Sequence, residues 1–389
     1  MPGSVRTRLG QALALRGTLD SAALPRLLGD GAGGAMGFGS HLELSDCAAI
    51  EEHALVATLE ALPDGRLQVL RLRNCGRAVG ELACAALAAR ASALRSLELS
   101  GAYRLYDNML APMLATAGAA LEELRLQSAA ELTPAGLATL HGCRALQALS
   151  LRGCDHLCAE GGLRALAAPG MPPLASLDLG DLPALPAADA AAIVARHGSA
   201  LRELRLLGCK ELDEATLLVI GTRCTALRLL EFEYHEPAND GAAPPSEQEL
   251  RAEGAAVDAA VAAVAAGCGG TLERLALRGF GRMRDRAVLA LAEGCGGGLL
   301  RSLSLNGAAA LTDSALLALA AHCGAGLRDL DLSWCRRLTD EGLGLLTDRT
   351  PALARLELWG CSRLTPVFLE GHVLPALRIV GRPSRPPAA

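Results

Sequence analysis

Aromatic side chains are scarce in this sequence: two Trp, three Tyr and four Phe in 389 residues. Ala, Leu and Gly dominate instead, so a core has to be aliphatic, and the few rings become informative by their position. Neither sign of charge prevails. Thirty-seven basic residues stand against 42 acidic ones, a formal net charge of −5. A reader of duplex DNA carries a basic stripe, and the overall count shows none. No apolar run reaches membrane-spanning length; residues 255–269 come nearest, but they are mostly Ala and include Asp258. Residues 1–20 hold only a short apolar stretch broken by arginines, which excludes an ordinary secretory signal. Without one, the 13 cysteines do not read as a disulfide framework.

Catalytic signatures are missing as well. There is no G-x-x-x-x-G-K-[ST] phosphate loop, and the glycine run 296–298 precedes a strand, the wrong context for one. His141, His156, His197 and His322 fall in turns or at helix ends, with no fixed Ser, Cys or carboxylate arrangement. Cys154-x-x-x-Cys158 around His156, and His322-Cys323, resemble metal spacings but lack a second converging half. Neither enzyme activity nor a cofactor or metal is expected.

What the chain does have is one unit, L-x-x-L-x-L-x-x-C followed by a short linker and L-T-D-x-x-L. It stands most clearly at residues 327–346, LRDLDLSWCRRLTDEGLGLL. Copies start at Leu67, Leu94, Leu121, Leu146, Leu174, Leu201, Leu227, Leu272, Leu300, Leu327 and Leu353, at spacings of 27, 27, 25, 28, 27, 26, 45, 28, 27 and 26 residues. A degenerate first copy lies at residues 42–47 and a truncated last one at Leu377. This period and consensus predict an α/β solenoid, a leucine-rich-repeat horseshoe of about 12 repeats. L-x-L alternation makes a short half-buried strand. Thr312 and Thr339 stand where a helix N-cap is wanted, with Asp313 and Asp340 in the first turn. Thr133-Pro134 and Thr365-Pro366 place a cap before a first-turn proline. Strands stack about 4.8 Å apart while helices need about 8–10 Å, so the sheet becomes the concave side. Eleven gaps between 12 strands give a docking wall on the order of 50 Å long.

The cysteines follow the repeat. Cys47, Cys75, Cys154, Cys209, Cys335 and Cys361 take the ninth position, and Cys143, Cys224, Cys268, Cys295 and Cys323 lie near helix ends. Such periodicity predicts a ladder of small buried thiols donating weakly to neighbouring carbonyls. Residues 1–38 read as a helical cap over the solenoid's end, an Arg-rich transit peptide being the alternative for the first 20. The repeats then occupy residues 39–380 as one elongated domain, and 381–389 read as a disordered tail. The 45-residue spacing places an insertion at 236–254, with three prolines and five Asp/Glu against one Arg; it reads as a solvated acidic loop.

Repeat positions three, five and seven project from the sheet. Their charges are mixed, which suits a protein partner better than phosphates. Both tryptophans, Trp334 and Trp359, fall in the last two full repeats, with Arg336, Arg337 and Arg363 close in sequence. Exposed Trp with Arg is hot-spot composition; a Trp covering the end of the solenoid is the alternative. With the face positions Asp331, Arg355 and Glu357 they form the candidate partner-binding set. Arg71, Arg73, Arg274 and Arg278 are the candidates for direct nucleic-acid contact, which is not expected.

The motif resembles the cysteine-containing leucine-rich repeats of F-box ubiquitin-ligase receptors. Narrower stretches, LQVLRLRNCGR (67–77), LRSLELSGAYRLYD (94–107), LDLSWCRRLTDEGLG (330–344) and above all LELWGCSRLTPVFLEGH with LRIVG (356–381), resemble the Rad-seven family of nuclear nucleotide-excision-repair proteins. SVRTRLGQALALRG resembles the helix that precedes the repeats there. The resemblance implies a non-catalytic adaptor that works with a Swi/Snf-type ATPase carrying a RING finger and with an elongin-C and cullin ubiquitin ligase. It also implies a nuclear location, a cytoplasmic one being the alternative. No L-P-x-E opening of an F-box is present, so direct Skp1 contact is not expected. A generic cullin-ligase substrate receptor unrelated to repair remains the other reading.

Overall fold

The computed structural model describes residues 7–9, 12–16, 21, 40–236 and 246–381. The chain divides into two compact units, Met1–Ala184 and Leu185–Ala389, a division that the expectation of one domain did not include. In the first, β1 (Thr7–Leu9) runs antiparallel to β2 (Ala12–Arg16), and β2 starts a parallel succession through β3 (His41–Ser45), β4 (Val69–Arg73), β5 (Ser96–Ser100), β6 (Glu123–Arg125), β7 (Ala148–Ser150) and β8 (Ser176–Asp178). In the second, β9 (Glu203–Leu206), β10 (Leu229–Glu233), β11 (Arg274–Arg278), β12 (Ser302–Ser304), β13 (Asp329–Asp331), β14 (Arg355–Glu357) and β15 (Arg378–Val380) are all parallel. Helices alternate with the strands, so each unit has the α/β architecture of a leucine-rich-repeat solenoid. Strands β3 to β14 fall on the 12 repeats read from the leucines, and β15 on the truncated copy.

Register explains why leucine recurs. Leu42, Leu70, Leu97, Leu124, Leu149 and Leu177 lie side by side in the first unit. Leu204, Leu230, Leu275, Leu303, Leu330 and Leu356 do so in the second. All twelve are at most 2% exposed. These columns and the inward faces of the helices are the core, and each repeat can bury its leucines only against its neighbours.

Two expectations are corrected. The helical cap over 1–38 is not helical where it is described: 7–9 and 12–16 are strands. Leu13 and Leu15 pair in register with Leu42 and Leu44, so the A-L-A-L alternation is the period of a strand that continues the sheet. Apart from Ser21, the rest of that cap lies outside the described residues, as do 237–245 of the acidic insertion and 382–389 of the tail. The second half of the insertion is not a loop. Residues Glu247–Cys268 form a 22-residue helix whose N-terminus is closed by a capping box between Ser246 and Glu249. The helix is held down as well as capped. Arg282 pairs with both Glu236 and Glu253, and the buried Asp258 carboxylate accepts from the Arg284 amide at 3.0 Å and from Arg286 Nε at 2.7 Å. Beneath the turn, Phe232, Tyr234 and Phe280 stack at 5.9 and 5.0 Å, so three of the nine aromatics fill the space opened by the irregular repeat.

The cysteine ladder is present. All 13 cysteines are buried, and none is in a disulfide. Ninth-position thiols reach the carbonyl of the sixth-position leucine one repeat earlier: Cys75 to Leu44, Cys154 to Leu126, Cys335 to Leu305 and Cys361 to Leu332. Cys268 donates to the Cys224 carbonyl at 2.8 Å in the same way at the helix ends. Burial pushes Cys75, Cys143, Cys323 and Cys361 up to about 11 and Cys84, Cys154, Cys224, Cys268 and Cys295 up to about 12, from an ordinary value near 9. Between those limits the unfolded chain releases thiol protons that the folded chain keeps, so stability must fall as pH rises. Urea midpoints are expected to decline steadily from about pH 9 upward. A flat profile between pH 8.5 and 10.5 would contradict the ladder's burial.

Candidate protein-interaction surface

The polar face of each sheet is set by position in the repeat. In the first unit its charges are spent internally. Glu98, with only 5% of its side chain exposed, accepts two hydrogen bonds from Arg73, Nε to Oε1 and Nη2 to Oε2, both at 2.7 Å. Arg71 lies 2.8 Å from Glu43 and 3.5 Å from Glu123. Burial opposes ionisation of Glu123, but hydrogen bonds from Ser96 and Arg125 outweigh it and hold its pKa below the usual carboxylate range. Hydrogen bonding to Glu98 is the main cause that raises the Arg73 pKa. Arg71 and Arg73, candidates for phosphate contact, are therefore already neutralised by carboxylates. Arg274 and Arg278 stand exposed on β11.

The structure separates the eight candidate residues into two groups. Asp331, Arg355 and Glu357 lie on the sheet face. Asp331 accepts from Ser304 Oγ at 2.9 Å, Asn306 Nδ2 at 3.4 Å and the Ser333 amide at 2.9 Å. Arg355 is paired with Glu357 at 2.8 Å. With Arg278, Ser302, Ser304 and Asp329 they line a shallow depression, floored by Leu303 and Leu330. The small side chains of β12 create it, between larger charged neighbours on β11, β13 and β14.

Trp334, Trp359, Arg336, Arg337 and Arg363 lie elsewhere, on the turns that leave β13 and β14. Trp334 is 49% and Trp359 53% exposed, and the three arginines are exposed. The Arg336 guanidinium carbon sits 5.7 Å from the Trp334 ring centroid, a cation–π contact. Among the described residues, none of these three arginines has a carboxylate within ion-pairing distance.

This turn has a backbone rule that single repeats do not reveal. The eighth position adopts positive φ in repeat after repeat: Asp46, Asn74, Gly101, Ser128, Gly153 and Asp181 in the first unit, Gly208, Gly279, Gly307, Trp334 and Gly360 in the second. Glycine and short polar side chains accept this conformation readily, whereas a bulky side chain there is an outlier. Trp334, at φ 65°, is the one large side chain among these positive-φ residues; Tyr234, eighth in the irregular repeat, is not one of them. Its ring takes the space that a side chain at the next eighth position would need: a Cβ on Gly360 would lie 2.4 Å from Trp334 Cε3. Trp359 covers Gly381 in the same manner, where a Cβ would lie 2.5 Å from Trp359 Cγ. The two rings thus rest on glycine shelves in consecutive repeats, and neither is buried as an end cap. The glycines were missed from sequence because each becomes meaningful only when the repeats are stacked in register.

Among the described residues, no three His, Cys, Asp or Glu side chains converge as a metal site, and no helix is long and apolar enough to cross a membrane. Fold and surface define a leucine-rich-repeat protein with a two-tryptophan edge. No protein-family model matches the sequence, and no curated protein sequence matches it. Among solved structures the chain is similar to Rad7 in the yeast Rad7–Elc1 complex, with a TM-score of 0.67 and 20% identity over 94% of this chain and 89% of that one. The fold is a Rad7-like leucine-rich-repeat fold. Weaker likenesses are to an internalin, InlF, of Listeria monocytogenes (TM-score 0.43, 13% identity, 96% of this chain and 87% of that one) and to LegL7 of Legionella pneumophila (0.41, 16%, 78% and 87%).

Proposed function

We propose that this chain is a non-catalytic interaction scaffold, an adaptor or substrate-binding subunit acting in nucleotide excision repair and ubiquitin ligation. The observation that carries the reading is the likeness to Rad7 along nearly the whole of both chains, in a structure where Rad7 is bound to Elc1. It is supported by the LELWGCSRLTPVFLEGH segment, whose V-F-L-E-G-H ending the generic repeat does not demand. A solenoid also suits the role, because its repeats hold a wide polar surface rigid without needing a catalytic pocket. On this reading the partners are an elongin-C-type subunit, a cullin behind it and a Swi/Snf-type repair ATPase, and the location is nuclear.

Co-expression with elongin C followed by size-exclusion chromatography tests it. A one-to-one complex that survives the column is expected, together with cullin subunits and the ATPase in a tagged purification from cells. Separate elution, with cullin subunits absent from the purification, would overturn the adaptor assignment. Cullin subunits recovered with unrelated substrates and no repair factor would instead favour a substrate receptor outside repair.

A further inference from the structure

The scaffold reading leaves open what the tryptophan edge recognises. We infer that the Trp334–Trp359 shelf is a docking site for an acidic, extended peptide segment of a partner protein, one carrying an apolar anchor residue among its carboxylates. This rests on the scaffold reading and specifies its ligand chemistry.

Three independent observations meet at this place. The first is conformational. Eighth-position residues enter the left-handed region in every full repeat but the irregular one, whose eighth residue is Tyr234, and ten repeats do so with Gly, Asn, Asp or Ser. Trp334 is the least suitable choice for the backbone, and strain retained at an exposed position marks function more often than packing. The second is geometric. Both rings are about half exposed, each supported from below by a glycine that leaves no room for any other side chain. A ring held in one orientation but open to water offers an apolar contact at little entropic cost. The third is electrostatic. In this unit Arg205, Arg228, Arg251, Arg282, Arg286 and Arg355 have carboxylate partners, while others such as Arg274 and Arg278 have none among the described residues but stand away from the rings. Arg336, Arg337 and Arg363 have none among the described residues, so their charge is available to a ligand. Tryptophan and arginine are also the side chains most enriched at energetic centres of interfaces.

Charge complementarity sets the occupant as an acidic ligand. Single-stranded nucleic acid is the other ligand that stacks on aromatic rings beside arginines, but it needs a basic groove that continues along its backbone. Beyond this edge the neighbouring sheet face is mixed, with Asp329, Asp331 and Glu357 beside Arg278 and Arg355, so no continuous basic groove leads away from the shelf. A peptide of a few residues needs only the shelf.

The chain contains two tryptophans, Trp334 and Trp359, so its tryptophan emission reports on this surface alone. The test titrates the full chain with a fluorescein-labelled short peptide of about six residues, Glu and Asp around a single Leu. The same peptide with Gln and Asn replacing every acid, and a 15-nucleotide oligo-dT, serve as comparisons. Saturable anisotropy with the acidic peptide is expected, with quenched or blue-shifted emission when the peptide is unlabelled. Trp334→Asn and Trp359→Gln should each weaken binding at least tenfold, and the triple change R336A/R337A/R363A at least fivefold. Asn74 and Gln127 already occupy the equivalent positions, so both tryptophan variants should keep the parent far-ultraviolet spectrum. Equal affinity for the neutral peptide, tighter binding of oligo-dT, or variants that bind like the parent would each overturn the inference. The two readings fail separately. An elongin-C complex formed by a chain that ignores the acidic peptide removes only this docking site. Peptide binding without any ligase subunit removes only the adaptor role.

Discussion

Gly267→Ala is expected to destabilise the chain by about 3 kcal/mol, at the upper end of what overpacking costs, although alanine is the better helix former by about 1 kcal/mol. Gly267 lies near the end of the helix Glu247–Cys268, against the helix Glu214–Arg223. A Cβ at 267 would sit 1.8 Å from the Gly221 carbonyl oxygen, and one at 221 would sit 2.5 Å from Ala263 C and Val264 N. Those neighbours are backbone atoms of two packed helices, so no side chain can swing aside and the helices themselves must part. Gly344 supplies the control. It lies in the helix Asp340–Arg349 with nothing within 4 Å of its would-be Cβ. There, Gly344→Ala should stabilise by about 0.5–1 kcal/mol through helix propensity alone. Urea denaturation of the two variants measures both. Changes of the same sign would refute the close helix crossing.

Asp313→Ala is expected to cost about 2–4 kcal/mol, because it removes two hydrogen bonds to one carboxylate and leaves a partly buried amide unpaired. Asp313 opens its own helix, where its charge suits the dipole, but its oxygens reach forward into the next repeat. They accept from the Thr339 amide at 2.9 Å and from its hydroxyl at 2.6 Å. Asp285 does the same for Thr312, Asp107 for Thr133 and Asp340 for Thr365. The L-T-D motif is therefore a chain of links, each threonine held by the aspartate of the preceding repeat. Thr339 shows the division of labour: it stands at the N-cap with extended backbone, yet its side chain makes no capping bond and donates backwards instead. Asp313→Asn should recover part of the loss, since one carbonyl acceptor remains. Thr339→Val should cost less than Asp313→Ala because its amide keeps its partner. If calorimetry placed Asp313→Ala within 0.5 kcal/mol of the parent, the link would be a packing coincidence rather than a structural tie.

The candidate site was legible only as composition. Two scarce tryptophans beside arginines marked the place, and the turn positions of Arg336, Arg337 and Arg363 kept them exposed. Asp331, Arg355 and Glu357 fall on the sheet face as their odd positions require; the Ser333 bond to Asp331 and the Arg355–Glu357 pair are local, but the bonds from Ser304 and Asn306 to Asp331 depend on a neighbouring repeat 25 to 27 residues away. The insertion carries two local signals: prolines that favour a loop, and S-E-Q-E at 246–249, a capping box before a helical run, which prevails from Glu247 onward. At the other end, A-L-A-L at 12–15 has the period of two that a strand requires, and it pairs with β3 as one.

The leucine period alone determined the solenoid, its strands, the inward columns and the burial of the thiols, because each is a consequence of repeating one short pattern against copies of itself. Tertiary structure decided what lies between the copies: the Asp–Thr links, the pairing of Arg71 and Arg73 with Glu43, Glu98 and Glu123, and the glycine shelves under Trp334 and Trp359. Those contacts join residues one or two repeats apart. Their partners are set by register and by the backbone conformation of the turn, and neither is a property of any single repeat.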